Sequence, residues 1–314
     1  MISDRYNKYL LTTCIFFCFF TSIPISINMY YDEFGLFGLK HNIRLYHPEK
    51  SYKYLLSFKY IPDNFEGIII GPSYSDNLDT RDIINFKIYN MSMDSANISE
   101  IKYAATNVIT RGNIKFIIIC LNPYITKDSC LKTTQIDPKD YWLSIFTFFP
   151  YIFNYSLKSK EMLHPELDPF HSSEWGYKDS NIWKHKIIFK DVIIKMRKEK
   201  SNKRWGINID PIAYSDLKSI IDLAHNNNIR MLAYYYPLYY EFYGYFDISE
   251  WWRYKESMYK LFNEKDIVWD MNTSDYYYIT KQESSYSDGH LSNRGAKLVV
   301  SVIEDKLNMC KDNL

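Results

Sequence analysis

The sequence predicts an α/β fold: a three-layer, doubly wound parallel sheet behind an N-terminal transmembrane helix, with a partly helical insertion. Three observations lead there. Short apolar runs alternate with segments of helical period across short connections, which is how a parallel sheet covered on both faces is written in sequence. The strongest runs, Ile68-Ile69-Ile70 and Ile114 to Leu121 (IKFIIICL), are continuously apolar rather than alternating, as strands buried on both sides are. Finally, Leu10 to Met29 is a run of 20 residues without a charge, and about 20 apolar residues cross a bilayer once.

Taken in order, residues 1–8 form a short tail in which Arg5 and Lys8 outweigh Asp4. The positive-inside rule then places the N-terminus in the cytoplasm and the rest outside it. The anchor covers 9–30. A cleaved signal peptide, with Ser22 to Ser26 as its processing region, competes with it, but no small-x-small site stands there and the apolar run is long for such a leader. Residues 31–62 read as a stem, and 63–314 as the folded domain. Ile68 to Ile70 is the first strand and Phe86 to Met91 the second. Ile98, Ile101, Ala105 and Val108 have helical spacing, and Gly112 closes that helix. Ile114 to Leu121 is expected at the centre of the sheet.

Between 124 and 206 the pattern is lost in aromatic runs, scattered prolines and a basic stretch. This reads as an insertion or lid over the strand ends. Asp210-Pro211 opens a helix with Leu217, Ile220, Ile221 and Ala224 on one face. Ile229 to Tyr236 is a strand, Trp251 to Phe262 a helix, Asp266 to Trp269 a strand, and Gly295 to Leu307 the last helix.

The totals exclude some classes. Lys and Arg number 38 against 37 Asp and Glu, so no strong field favours nucleic acid. The five cysteines show no metal-type spacing; Cys120 and Cys130 are a candidate disulfide pair. Gly71-Pro-Ser-Tyr-Ser is neither a P-loop nor a dinucleotide fingerprint, and no cofactor or metal is expected.

The chemistry-bearing residues gather at the carboxyl ends of the expected strands, where such sheets hold their sites. Ser73 follows the first strand and precedes a polar segment expected to open a helix. There its backbone N–H would face an oxyanion, and an N-cap is the structural alternative. A serine needs a neighbouring base. Among seven histidines, His290 lies in a polar turn leading into the last helix, with Asp288 two positions before it to orient the imidazole. Asn122, at the end of the strongest strand, offers an amide donor, and Ser92 to Asn97 offer further donors. Each of these residues also has an ordinary reading as a cap or turn former.

The order of these segments resembles that of the SGNH (GDSL-like) hydrolase superfamily, whose blocks carry Ser, Gly, Asn and Asp-x-x-His after successive strands. The corresponding stretches are Gly71-Pro-Ser73, Met93-Asp-Ser-Ala96, Cys120-Leu-Asn122 and Ser287-Asp-Gly-His290, followed by Gly295. The chain as a whole resembles membrane-anchored SGNH-like proteins of bacterial surface polysaccharide loci. The resemblance implies a flavodoxin-like sheet with Ser73 as nucleophile and His290 as base. Its oxyanion hole would consist of Asn122 with the Ser73 and Ser95 backbone N–H groups. Three departures stand out: Pro72 replaces an aspartate, Ser95 stands where glycine is expected, and the acid at 288 is one position out of step.

Two functions follow from the resemblance. One is an extracytoplasmic esterase or O-acyltransferase acting on acyl groups of a cell-envelope glycan, with Trp142, Trp175, Trp183 and Trp205 of the insertion as a lid or sugar-stacking surface, or else as an ordinary aromatic core. The other is a catalytically inactive domain that binds glycan or scaffolds envelope assembly. Its partners would be an acylated glycan or acyl donor and the membrane.

Overall fold

The computed structural model describes residues 2–32, 34–38, 49–127, 136–147, 174–178, 189–199, 206–287 and 289–310. In chain order its main elements are α1 (Ile2–Tyr31), α2 (Glu49–Leu56), α3 (Tyr60–Asn64), β1 (Gly67–Ile70), β2 (Ile88–Asn90), α4 (Ile98–Arg111), β3 (Phe116–Leu121), α5 (Lys139–Phe146), α6 (Phe189–Glu199), α7 (Pro211–Asn226), β4 (Arg230–Tyr235), α8 (Ile248–Tyr259), β5 (Ile267–Asp270) and α9 (Asn293–Asn308).

The five strands form one sheet in the order β2-β1-β3-β4-β5, every pairing parallel. β3 is central, as its unbroken apolar run requires. The chain steps from β1 to β2 and then returns past β1 to β3, so the order reverses between β1 and β3. That reversal opens a crevice at the carboxyl ends of the two strands.

Successive strand residues point to opposite faces, and the core divides accordingly. Ile68, Ile70, Ile117, Ile119 and Met231 face one side, packed against buried residues of α2, α4 and α7. Ile69, Ile118, Cys120, Leu232 and Tyr234 face the other, against α6 and α9. The isoleucines of β1, β2 and β3 are fully buried, and each such side chain contributes about 1.5–3 kcal/mol on removal from water. Helices therefore cover both faces, as the apolar runs predict. α2 lies within the range read as a stem, yet Tyr52, Tyr54, Leu55 and Leu56 are buried in the first of these cores.

The remaining elements fall close to their expected places. α4 starts at an Asn97–Glu100 capping box and ends at Gly112, whose φ is 78°. In α7, Asp210 caps the N-terminus with Pro211 behind it, and Leu217, Ile220, Ile221 and Ala224 are buried. Cys120 is a free thiol inside the second core, beside Tyr234, and burial raises its pKa to about 12; Cys130, its candidate partner, lies outside the described residues. α1 is long and apolar enough to cross a membrane and is exposed over most of its length.

Candidate active site

Ser73 sits at the reversal point, just past β1. The helix expected after it is absent: residues 73–77 form successive turns, with Ser75 N donating to Pro72 O and Leu78 N to Ser75 O. The reason is Asn90 at the end of β2. Its side-chain amide donates to the carbonyls of Ser75, Asp76 and Leu78 at 2.7, 3.2 and 2.9 Å. Carbonyls that a helix would use internally are held by a neighbouring strand instead. No helix dipole therefore acts on Ser73, and any anion stabilisation must come from discrete donors. Gly71 makes the tight exit from β1 feasible. A Cβ there would lie 2.3 Å from Ser75 Oγ and 2.8 Å from Cys120 Cβ.

The loop after β2 is stitched to this turn. Met93 N donates to Gly71 O at 3.1 Å, and the Ser75 and Ser92 hydroxyls bond at 2.8 Å. Ser95 has φ 51°, the left-handed region in which glycine is the natural occupant. Serine thus stands in a glycine conformation at the position where the resemblance implies glycine.

Two lysines hold the loop from beneath. Lys50 donates to Ser95 O at 3.0 Å and pairs with the buried Glu100 at 2.7 Å. Lys53, wholly buried, donates to Ser92 O and pairs with Glu49 at 2.7 Å, while Glu49 Oε2 accepts the Asp94 N–H at 3.1 Å. Lys178 reaches Asp94 at 3.0 Å and Asp76 at 3.9 Å. Burial, reinforced by Glu49 and opposed by Lys178 and Lys53, raises the Asp76 carboxyl to about 8. Asp76 is therefore largely protonated at neutral pH, which balances Glu49 and Asp94 against Lys53 and Lys178. Burial also acts to raise Asp94, but Lys178 outweighs it and holds that carboxylate low, with a smaller contribution from His290.

Asn122 follows β3 and is 5% exposed. Its Oδ1 accepts the Tyr124 N–H at 2.9 Å, which fixes the rotamer and leaves Nδ2 as the donor end.

His290 comes from the far end of the chain. An antiparallel bridge between Tyr286 and Leu291 and the Ser287 N to His290 O bond of 3.0 Å close a tight turn around it. Asn77 Nδ2 ties that turn to the Ser73 loop by donating to Leu291 O at 2.7 Å. Ser292 caps α9, and a Cβ on Gly295 would lie 2.1 Å from Ser285 O, so only glycine lets the helix seat this closely. The ring stacks on Tyr74, with centroids 5.0 Å apart and planes inclined by 25°. Nε2 lies 3.0 Å from Ser73 Oγ, within reach for proton transfer.

Ser73 and His290, 217 positions apart, are thus brought into contact, with Ser95 and Asn122 on the loops after the neighbouring strands. Asp288 lies outside the described residues, as do Trp183 and Trp205. Trp175 packs on Phe65 and its carbonyl accepts the Asn90 N–H at 2.8 Å, an edge contact on β2; Trp142 lies on α5. The described competitor His225 pairs with Asp266 at 2.9 Å near the start of β4, at the opposite end of the sheet.

Sequence reasoning missed Tyr74 and the cluster of Glu49, Lys53, Asp76, Asp94 and Lys178. Lysines in an apolar helix segment with Leu55 and Leu56 are the one signal that could have pointed there. No group of acidic, histidine or cysteine side chains suited to a metal occurs among the described residues.

No protein-family model matches the chain, and no curated protein does. Among solved structures, the chain is similar to one from Streptococcus pneumonia provisionally named a platelet activating factor. The identity is 10%, the match covers 82% of this chain and 90% of that one, and the TM-score is 0.44.

Proposed function

We propose that the chain is a membrane-tethered, SGNH-like serine esterase or O-acyltransferase acting outside the cytoplasm on acyl esters of a cell-envelope glycan. The observation that carries this reading is the 3.0 Å contact between Ser73 Oγ and His290 Nε2, at the point where the strand order reverses. The glycine-type backbone at Ser95 and the placement of Asn122 after the central strand support it. α1 would serve as the single anchor, with residues 1–8 inside and the domain outside.

In this mechanism His290 Nε2 takes the Ser73 hydroxyl proton as Oγ attacks the acyl carbonyl carbon. The negative charge that develops on the carbonyl oxygen is met by Asn122 Nδ2 and the Ser73 and Ser95 backbone N–H groups. The carbon–oxygen bond to the leaving alcohol then breaks, and the imidazolium returns its proton to that alcohol. Water completes hydrolysis of the resulting acyl-serine; a glycan hydroxyl in its place completes transfer. Tyr74, stacked on the imidazole, helps fix the ring.

A fluorophosphonate probe tests the assignment. The folded chain should be modified at Ser73, located by peptide mass spectrometry, and Ser73→Ala should abolish the adduct. An adduct that persists in the alanine variant defeats the assignment. A folded chain that takes no adduct indicates a binding domain instead.

A further inference from the structure

α5 carries its polarity in the wrong direction for a helix folded in water. Trp142, Leu143 and Phe146 are 60%, 39% and 45% exposed, while Ser144 is 5% exposed. At 100° per residue the three apolar side chains share one face. Trp142 and Phe146 stack on each other in the open, with ring centroids 6.0 Å apart.

The helix is also fixed in place relative to α1. The buried Asn28 side chain donates to Ile145 O at 2.7 Å and Thr147 O at 3.1 Å, tying the end of α5 to the last turn of α1. At 1.5 Å per residue the uncharged run from Leu10 to Met29 is about 30 Å long, the thickness of a bilayer's hydrocarbon core. Asn28 therefore stands at the end of the span, followed by the exposed rings of Tyr30 and Tyr31.

The chain turns sharply after α1. Asp32 N bonds back to Asn28 O, Asp32 O accepts from Gly35 N, and Phe34 is buried against Tyr52 of α2, ring centroids 4.8 Å apart. The domain is thus mounted directly on the end of the anchor.

We propose that the Trp142–Leu143–Phe146 face of α5 lies in the headgroup layer of the bilayer and, together with Tyr30 and Tyr31, holds the catalytic domain at a fixed attitude on the membrane. The occupant is lipid because the helix that bears this face is hydrogen-bonded to the end of a membrane-length helix, and indole and phenol rings concentrate at that depth. This inference rests on α1 spanning the membrane; it does not depend on the chemistry of Ser73.

The full chain, reconstituted into phosphatidylcholine–phosphatidylglycerol vesicles containing bromine-labelled lipid, tests it. Bromine should quench part of the tryptophan emission, and Trp142→Phe should remove that part. Equal fractional quenching in both proteins overturns the proposal. If the detergent-solubilised chain is then dimeric and becomes monomeric with Trp142→Asp and Phe146→Asp together, the face belongs to a second copy. An alkaline wash separates the two premises: a chain released from the vesicles contradicts the span itself, while one retained without Trp142 quenching contradicts only the docking of α5.

Discussion

Replacing Lys53 with methionine probes how the loop after β2 is held. The lysine side chain is 0% exposed and its partner Glu49 is 3% exposed. Methionine fills a similar volume but removes the charge that faces Glu49 and the donor that holds Ser92 O. Glu49 is then a buried carboxylate beside Asp94 and Asp76. Breaking a buried pair from one side costs about 3–5 kcal/mol, a large share of a typical net stability of about 5–15 kcal/mol. Removing both charges, with Glu49→Leu added, should recover part of that loss. About 2 kcal/mol should stay missing, about 1 kcal/mol each for the Asp94 N–H that Glu49 accepts and the Ser92 carbonyl that Lys53 holds. Urea unfolding of the detergent-solubilised chain, followed by tryptophan fluorescence, measures both. A Lys53→Met variant within about 1 kcal/mol of the parent, or a double variant as damaged as the single, would refute the reasoning.

Two further outcomes follow from the two loops joined here. Asp76 is raised in the folded state, so the stability it contributes is complete below the unfolded value of about 3.9 and is lost as pH rises toward about 8, at up to about 1.4 kcal/mol per pH unit. Asp76→Asn should flatten the fall in melting temperature across that window, and an equally steep fall in the variant would show that Asp76 is not protonated. Ser95→Gly should raise the unfolding free energy by about 0.5–1 kcal/mol, as relief of a left-handed serine outweighs the added chain entropy of glycine. It should leave probe labelling of Ser73 unchanged, since the proposed mechanism calls on only the backbone N–H of residue 95; a labelling rate that falls more than about tenfold, or about 1.4 kcal/mol, would assign a role to the hydroxyl.

The fold was legible in the sequence because its strands are buried on both faces. Runs such as Ile68 to Ile70 and Phe116 to Leu121 have one plausible home, the interior of a parallel sheet. Helix ends were legible where a residue marked them, as at Gly112 and Asp210. The segment after Ser73 was misread because its fate is decided by Asn90, a residue 17 positions away whose amide captures three carbonyls. Local propensity contains no such information. The charged cluster was invisible for a related reason: Glu49 and Asp76 look like surface residues until the packing of α2 and the Ser73 loop removes them from water. Ser73 and His290 were legible as a pair only through the order of blocks along the chain, and their contact is a property of the assembled fold.

The central claim is that His290 activates Ser73, and the most direct measurement is the rate at which a fluorophosphonate modifies Ser73 with and without that imidazole. General-base assistance is worth about 10²–10⁴-fold, so His290→Ala, folded as the parent is, should slow modification at Ser73 by at least about 100-fold. A rate within about threefold of the parent, a difference of under about 1 kcal/mol, would contradict the account.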